Sequence, residues 1–171
     1  MKQDPVFEAL GHQDELNACI GIAREYCALN NNKDLASKLI EIQSRLFDLG
    51  AAVATPVPSS SEAKLRYTEF PPRHTAQLEQ WIDEMDAGLP PLTHFVIPSG
   101  GLCSTHLHLA RTVCRRAERA VVPLVARSEV HTEVGVYLNR LSDFLFVASR
   151  VASAHEGTKE IFWRKEMPPP L

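Results

Sequence analysis

The chain has 171 residues, 44% hydrophobic and 23% charged, which suits one domain with a buried core. Its formal charge is −3, from 18 basic and 21 acidic side chains, so non-specific binding to nucleic acid or to an anionic membrane is disfavoured. No apolar run approaches the ~18 residues of a membrane span, and the 12 prolines leave 6–55, 73–89, 99–122 and 124–167 free, which argues for long helices with punctuated joints and against a β-sandwich.

Residues 6–29 predict a first helix, because Leu16, Cys19, Ile20, Ala23 and Cys27 recur at spacings of three and four. The run from Asn30 to Asp34 breaks it, and Asp34 is the expected N-cap of a second helix. That helix carries the clearest stripe in the chain: Leu35, Leu39, Ile42, Leu46, Leu49 and Val53 form a heptad seam. A loop follows over 55–73, with a helical turn near Glu62 to Arg66. Residues 74–86 predict a third helix with Leu78, Trp81, Ile82 and Met85 inside, ended by Gly88 and the Pro90-Pro91 pair.

The stretch 93–98 reads as extended chain leading into the next helix rather than joining a sheet. Ser99-Gly100-Gly101 opens a fourth helix, expected to run to about Val122 and stop before Pro123. A fifth covers about 128–155, with Val134, Leu138, Leu141, Leu145 and Ala148 inside and Gly157 as its stop. Residues 160–163 read as extended, and Pro168 to Pro170 as a disordered end. The expected architecture is an all-α, up-and-down five-helix bundle forming a single domain over 1–171. Cys19, Cys27, Cys103 and Cys114 form no C-x-x-C pair and read as reduced thiols in apolar patterns.

The fourth helix holds the most informative pattern. Arg111, Arg115 and Arg119 stack at i, i+4 and i+8, with Arg116 on the flank and Glu118 beside them. Stacked like charges oppose a helix, so something must compensate them. Salt bridges to neighbouring helices or subunits would do it, and so would a polyanion, whose phosphate oxygens match guanidinium forks. The fifth helix adds Asn139, Arg140 and Asp143; Asp143 could pair with the arginines, and Asn139 offers a donor and an acceptor to a ligand. Asp14 and Glu15 lie early in the first helix, where the dipole favours negative charge. Gly100 and Gly101 could let a ligand approach the backbone. His106 and His108, two apart, point to different sides of a helix and read as surface or inter-helix histidines. No Ser/His/Asp or Cys/His set and no Glu-x-x-His metal pair is recognisable.

These residues resemble a known signature. Leu107-x-x-Ala110-Arg111-x-x-Cys114-Arg115-Arg116-Ala117-Glu118-Arg119 with Val121-Val122-Pro123-Leu124, and Leu138-Asn139-Arg140-Leu141-Ser142-Asp143-Phe144-Leu145-Phe146, are similar to the PduO-type ATP:cob(I)alamin adenosyltransferases. The resemblance extends through Phe95-Val96-Ile97-Pro98-Ser99-Gly100-Gly101, Ala52 to Pro56, Val6-Phe7-Glu8-Ala9 and Asp14-Glu15-Leu16, and is strongest to the animal mitochondrial members. It implies a homotrimer of five-helix bundles with sites between subunits, in which the 5′-deoxyadenosyl group of ATP moves to cob(I)alamin. It implies ATP contacts from Lys2, Arg115, Arg116, Glu118, Arg119 and Asn139. Asp14 would pair with Arg111 of a neighbour, and Phe95 would press on the lower face of the corrin. Mg²⁺ would be held through the ATP phosphates. A cobalamin reductase would donate, an adenosylcobalamin-dependent mutase would accept, and neither nucleic acid nor membrane would be a partner. The location would be the mitochondrial matrix for an animal protein and the cytoplasm otherwise.

The chain departs from the family pattern at its start. Members carry a T-G-D-x-G phosphate loop upstream of the lysine, whereas this chain opens on Met1-Lys2, and His12 and Gln13 stand where threonines are commoner. The departure keeps a second expectation open, a cobalamin-binding or delivery protein with lost or weakened ATP chemistry. A third is a structural oligomer whose arginines are all paired internally.

Overall fold

A computed structural model describes residues 4–166; Lys2 and the Pro168 to Pro170 run lie outside them. Five long helices form the bundle: α1 (Pro5–Leu29), α2 (Lys33–Val53), α4 (Arg73–Asp86), α5 (Gly101–Ala126) and α6 (Thr132–His155). A short helix α3 (Glu62–Tyr67) lies in the α2–α4 connection. The bundle is the expected one, and side-chain partners fix its directions. Asn17 meets Gln43, Tyr26 stacks on His106, and Ser149 bonds His108, so α1/α2, α1/α5 and α5/α6 are antiparallel. Glu79 meets Arg140 and Asp86 faces Arg150, so α4 runs parallel to α6.

The seam on α2 is buried throughout: Leu35, Leu39, Ile42, Leu46, Leu49 and Val53 all enter the core. They pack with Leu16 and Ile20 of α1, Leu107 and Ala110 of α5, and Leu138 and Leu141 of α6. The three cysteines at 27, 103 and 114 are buried, Cys19 is half-buried, and all four are free thiols.

Five local expectations change. Asn32, not Asp34, caps α2: its side-chain oxygen accepts from the Leu35 amide at 3.3 Å, while Asp34 enters the first turn and pairs with Lys38. Gly88 does not take a left-handed φ; Ala87 ends α4 by donating to the Asp83 carbonyl. Pro123 does not stop α5, which continues for a further turn to Ala126 because Val121 and Leu124 are core residues on either side of it. The helix forgoes only the bond to the Arg119 carbonyl. The fifth helix accordingly starts at Thr132, after a turn in which Ser128 takes φ 56° and the Val57 amide donates to Glu129 O at 2.9 Å. The stretch before α5 does join a sheet: β1 (Val96–Ile97) pairs antiparallel with β2 (Ile161–Phe162).

The glycines at the start of α5 allow close packing against α6. Gly100 has φ 89°, and a Cβ there would stand 2.7 Å from Ser153 Cβ; a Cβ on Gly101 would collide with the Glu156 carboxylate. The same end of α6 closes on Gly157 in the left-handed region (φ 65°), with its amide bonded to Ala154 O and the Thr158 amide to Ser153 O. This is the Schellman pattern. Leu46→Ala should lower unfolding free energy by about 3 kcal/mol, read as a shift in urea midpoint with unchanged m, because the seam leaves no room for collapse into the cavity.

Candidate functional site

Helix α5 is packed between α1 and α6, and its buried face is built from Leu107, Ala110, Cys114, Ala117 and Val121. The opposite face carries the arginines. Among the described residues, Arg111, Arg115 and Arg119 make no ion pair with any carboxylate. Arg115 and Arg119 are exposed; Arg111 is half-buried with its Nε unpartnered, and burial first, then neighbouring Arg115, pushes its guanidinium below the usual range. Arg116 alone is tied within the chain, to Glu15 of α1. The complete internal pairing expected of a purely structural ridge is therefore not found among the described residues.

The ridge separates two grooves. One, of about 460 Å³, runs between the start of α1 and the end of α5, lined by Glu8, His12, Arg116, Arg119 and Arg127. The other, of about 430 Å³, lies between α5 and α6, with apolar walls from Val122, Val125 and Val136 and a polar end formed by Glu118 and Asn139. There Asn139 Nδ2 donates to Glu118 Oε1 at 2.8 Å. Asp143, offered above as a partner for the arginines, instead accepts from Arg140 on its own helix at 3.0 Å, and Arg140 reaches on to Glu79 at 3.3 Å. The charge of Asp143 is spent on α6 because three residues of helix bring it to the same side as Arg140.

Asp14 is exposed on α1 and has no ion-pair partner among the described residues. Phe95 is 79% exposed, on the β1/β2 ribbon that precedes α5. Its carbonyl accepts from the Trp163 amide at 2.8 Å, and the two rings stand edge to face at 6.2 Å. Arg115 lies about 21 Å further along α5 from Gly101, at 1.5 Å rise per residue. One chain thus groups Arg115, Arg116, Glu118, Arg119 and Asn139 and leaves Phe95 at the far end.

His108 is the inter-helix histidine expected, 3% exposed, with Ser149 Oγ 3.1 Å from its Nε2. His106 stacks on Tyr26 at 4.9 Å and bonds the Leu102 carbonyl. A hydrogen bond with Cys27 and burial raise the Cys103 thiol, and burial raises Cys114 and Cys19, whereas the same hydrogen bond, with Cys103, lowers Cys27. Sequence reasoning missed the pair formed by buried Arg150 and half-buried Glu160, the residue that precedes β2. The available signal was a lone charge in the run Val147-Ala148-Ser149-Arg150-Val151-Ala152, where every helical face is apolar or small.

A family model described as cobalamin adenosyltransferase matches residues 1–152. The human corrinoid adenosyltransferase MMAB is 48% identical over 167 residues, covering 98% of this chain and 66% of the relative, so the chain spans about two thirds of that protein's length. The corrinoid adenosyltransferase of Bacillus subtilis is 41% identical over 159 residues, covering 92% of this chain and 79% of its own. A solved variant of the PduO-type ATP:corrinoid adenosyltransferase from Lactobacillus reuteri, complexed with cobalamin and ATP, superposes with a TM-score of 0.87 at 33% identity, covering 96% of this chain and 89% of that one.

The geometry around Arg111 also carries a pH dependence. Burial first, then the charge of Arg111, pushes His108 down to about 4 from its ordinary 6.5. Above pH 6.5 both folded and unfolded chains hold it neutral. As pH falls from 6.5 toward 4 the unfolded chain takes up the proton and the fold does not, so stability drops by roughly 2–3 kcal/mol. His108→Asn should flatten that part of the urea-midpoint profile relative to the parent chain; an unchanged slope would show that His108 is not its source.

Proposed function

The chain belongs to the cobalamin adenosyltransferase family, and on that premise we propose that it transfers the 5′-deoxyadenosyl group of ATP to cob(I)alamin, giving adenosylcobalamin and triphosphate. The observation that carries the reading is that Arg111, Arg115 and Arg119, beside the Asn139–Glu118 pair, make no ion pair among the described residues. Co(I) is itself the nucleophile: its electron pair forms the new Co–C5′ bond, the C5′–O bond breaks, and the triphosphate leaves with the electrons of that broken bond. The protein need supply no nucleophile. It has to hold C5′ over cobalt, exclude water and stabilise a leaving group of high negative charge.

Arg115 and Arg119 meet the triphosphate, and Arg116, held by Glu15, lines the same groove. Lys2 contributes from the chain start. Asn139, oriented by Glu118, bonds the nucleoside end beside the apolar walls of the second groove. Mg²⁺ arrives on the ATP phosphates; among the described residues no cluster of three metal-ligating side chains would cage it. Phe95 presses on the lower corrin face, occupies the space of an axial ligand and so favours reduced cobalt.

The active assembly is a homotrimer. Two features support it. Asp14 and Arg111 each lack an intrachain carboxylate–guanidinium partner among the described residues, so pairing between neighbours satisfies both. Leu102, Leu109 and Val122 on α5, with Phe7 and Ile22 on α1, are exposed apolar side chains that assembly would cover. A closed ring also brings the Phe95 of one subunit to the arginines of the next, which one chain cannot do for itself. A reductase must supply Co(I), and an adenosylcobalamin-dependent mutase would consume the product, both in the mitochondrial matrix for an animal protein. Among the described residues no helix is long and apolar enough to cross a membrane.

Mixing the protein with ATP and chemically reduced cobalamin should yield the light-sensitive Co–C product. Arg115→Ala should cut kcat by roughly 10²–10³, the scale of losing one donor to a developing anion, with the oligomer unchanged by light scattering. Wild-type turnover in that variant would refute the phosphate assignment. Arg111→Ala should raise KM for cobalamin more than KM for ATP.

A further inference from the structure

Arg150 lies near the end of α6 with only 4% of its side chain exposed. Its Nε donates to Glu160 Oε1 at 3.1 Å and approaches Oε2 at 3.5 Å. One terminal nitrogen donates to the Pro90 carbonyl at 2.8 Å, and the other stands 3.9 Å from Asp86 Oδ1. Glu160 is itself only 16% exposed. A buried guanidinium is tolerated only where its donors are met, and its planar fork fixes the direction of each bond.

The three partners belong to three segments. Asp86 ends α4, Pro90 lies in the connection leading to Phe95, and Glu160 directly precedes β2. The ribbon itself is two residue pairs long, Val96 with Phe162 and Ile97 with Ile161, too little to be stable alone. Its further ties are the Trp163 amide on the Phe95 carbonyl, the Ile161 amide on Ser99 Oγ at 2.9 Å, and the Thr158 hydroxyl on Gly100 O at 2.8 Å. Arg150 therefore grips the incoming strand by its upstream connection and the outgoing strand by its first flanking residue.

We propose that Arg150, paired with Glu160, is a positioning residue that sets where the Phe95 ring meets the corrin, touching neither substrate; this rests on the reading of Phe95 given above. The clamp stands on the helix that also carries Asn139, about three turns earlier. One helix thereby carries the ribbon of one site and the nucleotide-side groove of the neighbouring site in the ring. A ribbon held loosely would blur the placement of the ring and leave the arginine face untouched.

The test uses the full chain with Glu160→Gln, which keeps shape and removes charge, and Arg150→Lys, which keeps charge and loses the fork. Both should raise KM for cob(I)alamin roughly tenfold, as expected when a contact shifts by a fraction of an ångström, with KM for ATP within about twofold. Added to Phe95→Ala, neither should worsen KM for cob(I)alamin further, since residues acting through one contact are not additive. Equal rises in both KM values, full additivity with Phe95→Ala, or a wild-type Glu160→Gln beside an impaired Phe95→Ala would each overturn the clamp while leaving the role of Phe95 standing. A Phe95→Ala chain with unchanged cob(I)alamin kinetics would instead overturn the reading beneath it.

Discussion

The packing of α5 between α1 and α6 is the constraint on which the molecule depends. Small residues at the contact, Ala110, Cys114 and Ala117 on α5 with Ala148 and Ala152 on α6, belong to one continuous core with the larger side chains around them. Close packing fixes the rotation of α5 about its own axis. Once that rotation is set, the face opposite the core is set too, and with it the direction of Arg115 and Arg119. The ion pair of Arg116 with Glu15 and the Asn139–Glu118 hydrogen bond then attach the two flanks of that face to α1 and α6.

The electrostatics follow from that placement. A run of guanidinium groups on successive turns opposes helix formation by a few tenths of a kcal/mol per pair, a cost small beside the core contacts of the same helix. The bundle can therefore carry a ridge whose Arg111, Arg115 and Arg119 make no ion pair among the described residues; on the proposed reading that ridge stands ready for an anion. Preorganisation of this kind is what a leaving triphosphate requires, because donors already in place need no rearrangement as charge develops. Where α5 could have been neutralised cheaply it was not: Asp143 turns to Arg140 rather than toward the ridge.

The opposite end of the bundle solves a different problem. The connection 87–100 must run exposed past the ends of three helices and still present an aromatic ring in a defined place. Close approach of α6 to the start of α5 requires Gly100 and Gly101, since a Cβ at either meets Ser153 or Glu156. The Schellman end of α6 then sends the chain back toward β1, where Trp163 meets Phe95. The buried charge of Arg150 joins these pieces. A buried ion pair is weak evidence for stability, and its better-attested use is to fix register.

Apolar spacing together with the placing of prolines and glycines determined the five long helices and the α2 seam, because that spacing reports which face of a helix leaves water. Spacing placed the arginines on one face of their helix but left open whether carboxylates or an anion meet them, and the nucleotide roles of these arginines and of Asn139 came from the family resemblance. Local rules erred where tertiary contacts outweighed them. Pro123 should end a helix, yet Val121 and Leu124 belong to the core and the turn persists. Asp143 suited the ridge, yet a closer guanidinium lay on its own helix. The β1/β2 ribbon and the Arg150–Glu160 pair join segments far apart in sequence, and no local pattern encodes a partner at that separation. The sequence by itself determined which faces are apolar and which helix carries the stacked arginines; only the tertiary structure decided which of those charges find no partner among the described residues and where Phe95 stands, because both depend on what the folded chain brings alongside.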